Sequence, residues 1–221
     1  MKNITILIVF LCSISSTVNA IPYGNYDVHQ IFNKVPEKHQ IELNLKYLDQ
    51  MTKDLDVHAE TYPPLFDCDS DKQRATEDVK KLTDLLAILK NGDPDKLIMF
   101  RVAHLNGIAH NLDIPLAAVK ADSIYSQLTT KYPADAQLSY FYGLFLATSN
   151  QSDRAIIFLN KALDGGVFNA NRTIGMLYLV KGDKDKALDY LRTYHSKTPE
   201  DAQTADVIDD IEKGKVNYKQ Y

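Results

Sequence analysis

The sequence predicts an all-α protein in which antiparallel helix pairs stack side by side, preceded by N-terminal helices and closed by a C-terminal capping helix. Three observations predict it. Apolar residues recur at steps of three and four along most of the chain, the stripe of an amphipathic helix. Small residues at Ala109, Gly143 and Gly175 are each followed twelve positions on by an alanine, at Ala121, Ala155 and Ala187. Breakers such as Pro63-Pro64, Asn91-Gly92, Pro133 and Pro199 interrupt the stripes at helix-length intervals.

Residues 1–20 read as an export signal rather than part of the fold. Met1-Lys2-Asn3 is a short basic start, and Ile4 to Cys12 is an apolar run too short to span a bilayer. Val18-Asn19-Ala20 offers small side chains where a signal peptidase reads, so cleavage is expected after Ala20. Cys12 as a lipidated cysteine is the alternative, although Leu11 stands where that signal needs a small residue. No other apolar stretch approaches membrane-spanning length, so the processed chain is expected to be periplasmic or secreted, without stable membrane insertion.

Removing residues 1–20 takes away one lysine and no acid; 24 basic residues then face 29 acidic ones, a net charge of −5. An acidic chain without a basic run argues against nucleic acid and anionic lipid as partners. Cys68 becomes the one remaining cysteine, which excludes an internal disulfide. It is expected as a half-buried thiol, with an intermolecular bridge or reactive thiol as alternatives. Stability must therefore come from burying apolar helix faces.

Residues 21–35 show little periodicity and read as an extended lead-in. The N-terminal helical segment spans 36–101. Pro36 suits a first helical turn, and Ile41, Leu45, Leu48, Met51 and Leu55 form one stripe that Pro63-Pro64 ends. Asp67, Asp69, Ser70 and Asp71 crowd the start of the next helix, where carboxylates suit the positive end of the dipole. Val79, Leu82, Leu86 and Leu89 carry its buried face, and Asn91-Gly92 closes it.

Three helix-pair units follow, 102–135, 136–167 and 168–201. Their anchors are 34 and then 32 residues apart. Leu112, Leu146 and Tyr178 hold one equivalent position, and Tyr125, Leu159 and Leu191 another. Where two helices cross at close range only a hydrogen or a methyl fits, so Gly143 is expected to face Ala155. Asp113-Ile114-Pro115, Ser149-Asn150-Gln151-Ser152 and Gly182-Asp183 read as the turns and N-caps within the pairs, and Asp164-Gly165-Gly166 as the exit from the second unit. Residues 202–213 form the capping helix, with Ala205, Val207, Ile208 and Ile211 on one side, and 214–221 a polar tail.

Over about Val102 to Asp201 these residues resemble the tetratricopeptide-repeat family, whose period is 34 residues. Leu138 to Ala147 and Gly182 to Leu188 are the segments most similar to it. The first helix of each unit lacks the usual Trp, and the second unit has Val167 where a proline is usual. The resemblance implies a right-handed α-solenoid and an exported protein-protein interaction module. Its concave groove would be lined by Asn106, His110, Gln137, Tyr140, Leu144, Asn169, Arg172 and Met176, suited to a peptide or short helix of a protein partner.

Catalytic spacing is absent: the sequence has no Gly-rich phosphate loop, His-Glu-x-x-His, Cys-x-x-Cys or Gly-x-Ser-x-Gly. No enzyme activity and no cofactor are expected. Asp67, Asp69, Asp71 and Asp78 copy part of a calcium loop, but Lys72 stands where that loop needs Gly. His110 and Asp113 could share a helix face. These two groups carry the alternative of a metal-binding or enzymatic accessory protein, and a self-associating homo-oligomer is a third reading. Asn150-Gln151-Ser152 and Asn171-Arg172-Thr173 would be glycosylation acceptors in a eukaryotic host. Of the thirteen tyrosines, Tyr125, Tyr142, Tyr178 and Tyr194 are expected in the repeat cores.

Overall fold

The structure, a computed structural model, describes residues 21–35, 40–89 and 95–216. The expected signal at 1–20, Pro36, the Asn91-Gly92 stop, the tail from 217, and the side chains of Ile41 and Leu89 lie outside the described residues. The chain opens with a 3-10 turn at Val28–Ile31 and a hairpin of β1 (Phe32–Val35) and β2 (Gln40–Leu43). Helices α1 (Leu45–Ala59), α2 (Asp69–Leu89), α3 (Lys96–Asn111) and α4 (Ala117–Lys131) follow. The chain continues through α5 (Ala136–Thr148), α6 (Ser152–Asp164), α7 (Ala170–Val180), α8 (Lys184–His195) and α9 (Ala202–Glu212).

Helices α3/α4, α5/α6 and α7/α8 are close-packed pairs. The intimacy has a residue-level cause. A Cβ on Gly143 would lie 2.6 Å from Leu159 Cγ, and one on Gly175 would lie 2.7 Å from Leu191 Cγ and 3.2 Å from the Ala187 carbonyl oxygen. The partner across Gly143 is therefore Leu159, one turn beyond the expected Ala155; the alanine is itself fully buried. A leucine methyl group fills the space that the missing side chain leaves.

The turns within the pairs close as helix C-caps, and at the first two no side-chain N-cap follows. Asp113 (φ 60°), Asn150 (φ 57°) and Gly182 (φ 80°) each take the left-handed conformation after the last helical turn. The next residues close the motif: Ile114 N–H donates to Ala109 O, Gln151 N–H to Leu146 O, and Asp183 N–H to Tyr178 O, each at 2.9 Å. Gly, Asn and Asp are the residues that tolerate this conformation. Asp183 does also act as an N-cap, accepting from Lys186 N–H.

The segment before α1 departs from the expected helix. Residues 40–43 pair antiparallel with 32–35, with Phe32 opposite Leu43 and Lys34 opposite Ile41. The helix starts only at Leu45, because the Asn44 side chain accepts from Tyr47 N–H and caps it there. Leu48, Met51 and Leu55 keep the helical stripe and are fully buried, while Ile41 belongs to the strand.

Nor is the lead-in loose. Tyr23 is buried beside α2 and α1: its N–H donates to Asp71 Oδ2 at 2.9 Å, its hydroxyl to Asp78 Oδ2 at 3.1 Å, and its carbonyl accepts from Arg74. Its ring meets His58 of α1 edge-on at 5.9 Å. Gly24 N–H and the Tyr26 hydroxyl both donate to Asp54 Oδ2 of α1. These residues, with Val28 and Ile31, stitch α1 to α2. Cys68 is exposed, contrary to the expected half-buried thiol: it stands just before α2, its Sγ 3.0 Å from Ser70 Oγ.

Candidate functional site

Helices α1, α3, α5, α7 and α9 form one row. α1 runs alongside α3, as Arg101 Nη2 to Asp49 Oδ1 (2.7 Å), His104 Nε2 to Asp56 Oδ1 (2.7 Å) and Asn111 Nδ2 to Ala59 O (3.0 Å) show. At the far end α9 takes the place of a further first helix, and it is the last helix among the described residues. It starts 32 residues after α7, and Val207 stands where Gly143 and Gly175 stood; among the described residues no partner helix approaches there.

This placement corrects part of the groove expected from sequence. Arg172 Nε donates to Thr204 Oγ1 at 3.1 Å and pairs with Asp201 at 3.3 Å, and its Nη2 donates to Gln203 at 2.8 Å. Met176 packs on the apolar cluster of Leu179, Leu191 and Ile211. Both side chains are engaged on the α9 side, with the Arg172 side chain still more than a third exposed. Asn169 is exposed at the start of α7. Asn106 is 4% exposed and donates to the Val102 carbonyl one turn back, so it faces inward. The acceptor proposed at Asn171 is buried too, donating to Phe168 O.

The open part of the row lies between α3 and α5. At its N-terminal end a cleft of about 430 Å³ is walled by Leu97, Phe100, Gln137, Leu138 and Phe141, with the Lys96–Asp135 ion pair at its edge. Asp95 and Asp135 cap α3 and α5 by accepting Leu97 N–H and Leu138 N–H, which fixes both helix starts beside this cleft. Burial pushes the Asp135 carboxyl up, but the Lys96 ammonium and the Leu138 N–H outweigh it and hold the group below its usual range.

A ring cluster closes the inner end of the cleft. Phe100 and Phe141 meet edge-on at 5.0 Å, and His104 stacks on Phe100 at 5.9 Å while lying edge-on to Phe141 at 5.8 Å. Beyond the rings is a second, smaller cavity of about 30 Å³ beside Glu60, Gly107, Asn111, Phe145 and Leu144. Glu60 caps the C-terminus of α1. Burial, then the neighbouring Asp56 charge, raises its carboxyl above the usual range, with His104 opposing.

Of the remaining sequence-predicted residues, Gln137 lines the cleft and Leu144 the cavity. Tyr140 is half-buried, 5.6 Å from the Phe141 ring, its hydroxyl raised by burial and by the Glu60 and Tyr194 charges. His110 is half-buried with its ring 6.3 Å from Phe145; burial lowers its pKa against the pull of Asp113. The calcium candidates are otherwise engaged, since Asp71 and Asp78 hold Tyr23. Among the described residues no three His, Cys, Asp or Glu side chains are placed to hold a metal ion, and no helix is long and apolar enough to cross a membrane.

Leu97, Phe100, Glu60 and Asn111 are not legible in the sequence as site residues. Leu97 and Phe100 fall before Val102, where the repeat spacing begins, although Asp95 followed by Leu97, Ile98 and Met99 carries a helix-start signal. Glu60 and Asn111 come together only because α1 lies on α3, which no spacing announces.

No protein-family model and no curated protein sequence matches the chain. Among solved structures, the crystal structure of MamA is similar with a TM-score of 0.54 at 19% identity, over 68% of this chain and 86% of that one. YrrB, described as a TPR protein with an unusual peptide-binding site, is similar with a TM-score of 0.51 at 14% identity, over 74% of this chain and 84% of that one. At such identities the likeness is one of architecture. Helix pairs joined at Gly143 and Gly175, stacked in a row and superposable on such a repeat protein, are the tetratricopeptide-repeat fold.

Proposed function

We propose that the chain is an exported interaction module that binds a peptide or short helix of a partner protein in the groove between α3 and α5, and that it performs no catalysis of its own. The observation that carries this reading is the apolar cleft of about 430 Å³, where Leu97 is 45% exposed and Phe100 and Phe141 are only partly covered. Side chains of that kind, rimmed by Gln137 and the Lys96–Asp135 pair, form the apolar centre and polar border of a recognition surface. The peptide-binding description of YrrB supports the same use of the same fold.

The test is selection of a displayed random peptide library on the purified protein. Soluble peptides made from the selected sequences should lose about tenfold or more in affinity on Leu97→Asp, which places a charge in the apolar cleft. Ile157→Ser, at an exposed position of α6, should leave affinity unchanged. Equal affinity for wild type and Leu97→Asp would remove the cleft from the reading. Export is checked separately, by N-terminal sequencing of the protein recovered from its host; an N-terminus at Ile21 is expected, and an intact Met1 would overturn it.

A further inference from the structure

The small cavity behind the Phe100–His104–Phe141 rings is lined by acceptors, the Glu60 carboxylate and the Asn111 side chain, with the Tyr125 ring beside them. Asn111 is 3% exposed; its Nδ2 donates to the carbonyls of Ala59 and Glu60 at 3.0 and 2.9 Å, which sets the amide's orientation. Its Oδ1 is buried without a hydrogen-bond partner among the described residues, and the residue lines the cavity. A buried unpartnered acceptor costs free energy in the empty site and is satisfied by an incoming donor. Glu60 lines the cavity, and the Asp56 carboxylate, whose charge acts on it, is already bonded to His104. Phe141, Phe145 and Tyr125 supply aromatic walls, the surface that attracts a cation.

Gly107 points to the same use. A glycine inside a helix is unfavourable relative to alanine unless something requires it. At Gly143 and Gly175 the requirement is steric, but a Cβ on Gly107 would meet only Phe145 Cδ2, at an ordinary 3.5 Å. What the absent side chain does is leave the cavity open. Its volume of about 30 Å³ exceeds the roughly 10–15 Å³ that one water requires, which is room for a terminal ammonium or the tip of a guanidinium group.

We propose that this cavity receives the cationic head group of a lysine or arginine in the bound peptide, with Glu60 and the Asn111 Oδ1 accepting its N–H groups, while an apolar neighbour of that residue occupies the cleft beyond the rings. The inference rests on the groove reading above and adds what the occupant must carry. It commits the partner to a segment pairing one basic with one apolar side chain, which also agrees with the acidic balance of the chain.

The peptides selected from the random library decide it. Lys or Arg should be enriched at one position, and replacing that arginine by citrulline, which keeps the shape and removes the charge, should weaken binding about tenfold or more. Glu60→Gln, which keeps the shape of the side chain and removes its charge, should remove most of that preference without affecting folding. Gly107→Leu should abolish it by filling the cavity; should that variant fail to fold, Glu60→Gln and the citrulline peptide suffice. Selected peptides without a basic position, or a preference that survives Glu60→Gln, overturn the cationic anchor and leave the groove standing. A selection that yields no binder at all overturns the groove reading and the anchor with it.

Discussion

Gly143 lies so close to Leu159 that a methyl group on its Cα would stand 2.6 Å from the Leu159 Cγ and 3.3 Å from its backbone nitrogen. The side chain can swing aside, but the backbone nitrogen cannot. Gly143→Ala should therefore lower stability despite the better helix propensity of alanine, because overpacking of about 1–3 kcal/mol exceeds the propensity gain of at most about 1 kcal/mol. Gly143→Leu should separate α5 from α6 and cost more. Thermal unfolding followed by circular dichroism is the check, and an unchanged melting temperature for Gly143→Leu would refute the close crossing.

Gly107→Ala should do the opposite. Its new Cβ meets a single carbon at 3.5 Å, so helix propensity is the main term, worth about 0.8–1 kcal/mol of added stability. For a chain of this size that is a rise of about 2–4 °C in melting temperature. A fall would show that the cavity beside Phe145 is closed in solution.

The contrast between these two glycines marks how far the sequence could be read. The 34- and 32-residue steps place Gly143 and Gly175 at crossings because small residues recur where backbones touch, and that alone carries the repeat architecture. The crossing partner is less legible: Ala155 falls at the regular spacing, yet the contact is with Leu159, since a side chain leans toward the turn before its own Cα. Arg172 and Met176 sit at sound groove positions of the repeat, but α9 lies where the next repeat would and engages them. Tyr23 was out of reach altogether. Its three hydrogen-bond partners are about fifty residues away, and the aperiodic stretch around it gives no sign of burial.

Arg172→Ala should loosen α9 with little effect elsewhere. The guanidinium bridges Asp201, Gln203 and Thr204 at the first turn of that helix. The site is more than a third exposed, so the global effect should stay below about 1 kcal/mol. Amide hydrogen exchange should report it: faster exchange across Ala202–Glu212, with α3 to α6 unchanged. Uniform acceleration along the chain would mean that α9 and the repeats unfold as one unit.

Acid should destabilise the stack through its helix caps. Asp183 is held below its ordinary pKa by the Lys186 side chain and backbone, and Asp201 by the Thr204 N–H and hydroxyl, which outweigh the upward push of its burial. Asp135 behaves likewise. A carboxyl whose folded pKa is depressed adds stability above its unfolded pKa, near 3.9, and that contribution disappears as the pH falls through the folded value. Replacing all three by Asn keeps a side-chain acceptor at each cap but removes the titration. The triple variant should lose less of its melting temperature than wild type between pH 5 and about pH 3; parallel losses would assign acid sensitivity elsewhere.

Tyr23→Phe should show the reverse pH dependence. The Asp78 carboxyl that accepts from the Tyr23 hydroxyl is raised above its ordinary pKa, first by burial, with the Tyr23 hydrogen bond and the Lys81 charge pulling it down. Removing the hydroxyl withdraws one of those stabilising contacts from a buried anion, so the folded pKa rises further. The variant should lose about 1–3 kcal/mol at pH 7, the cost of leaving the buried Asp78 carboxyl without its donor. A group whose folded pKa is raised favours the folded state as it takes up its proton, so the deficit should shrink as the pH falls through that raised value. Denaturant melts of wild type and Tyr23→Phe at pH 7 and pH 4.5 measure the difference. A deficit that is equal at both pH values would mean that Asp78 does not carry the charge that Tyr23 holds in place; no deficit at all would mean that the N-terminal segment is not what joins α1 to α2.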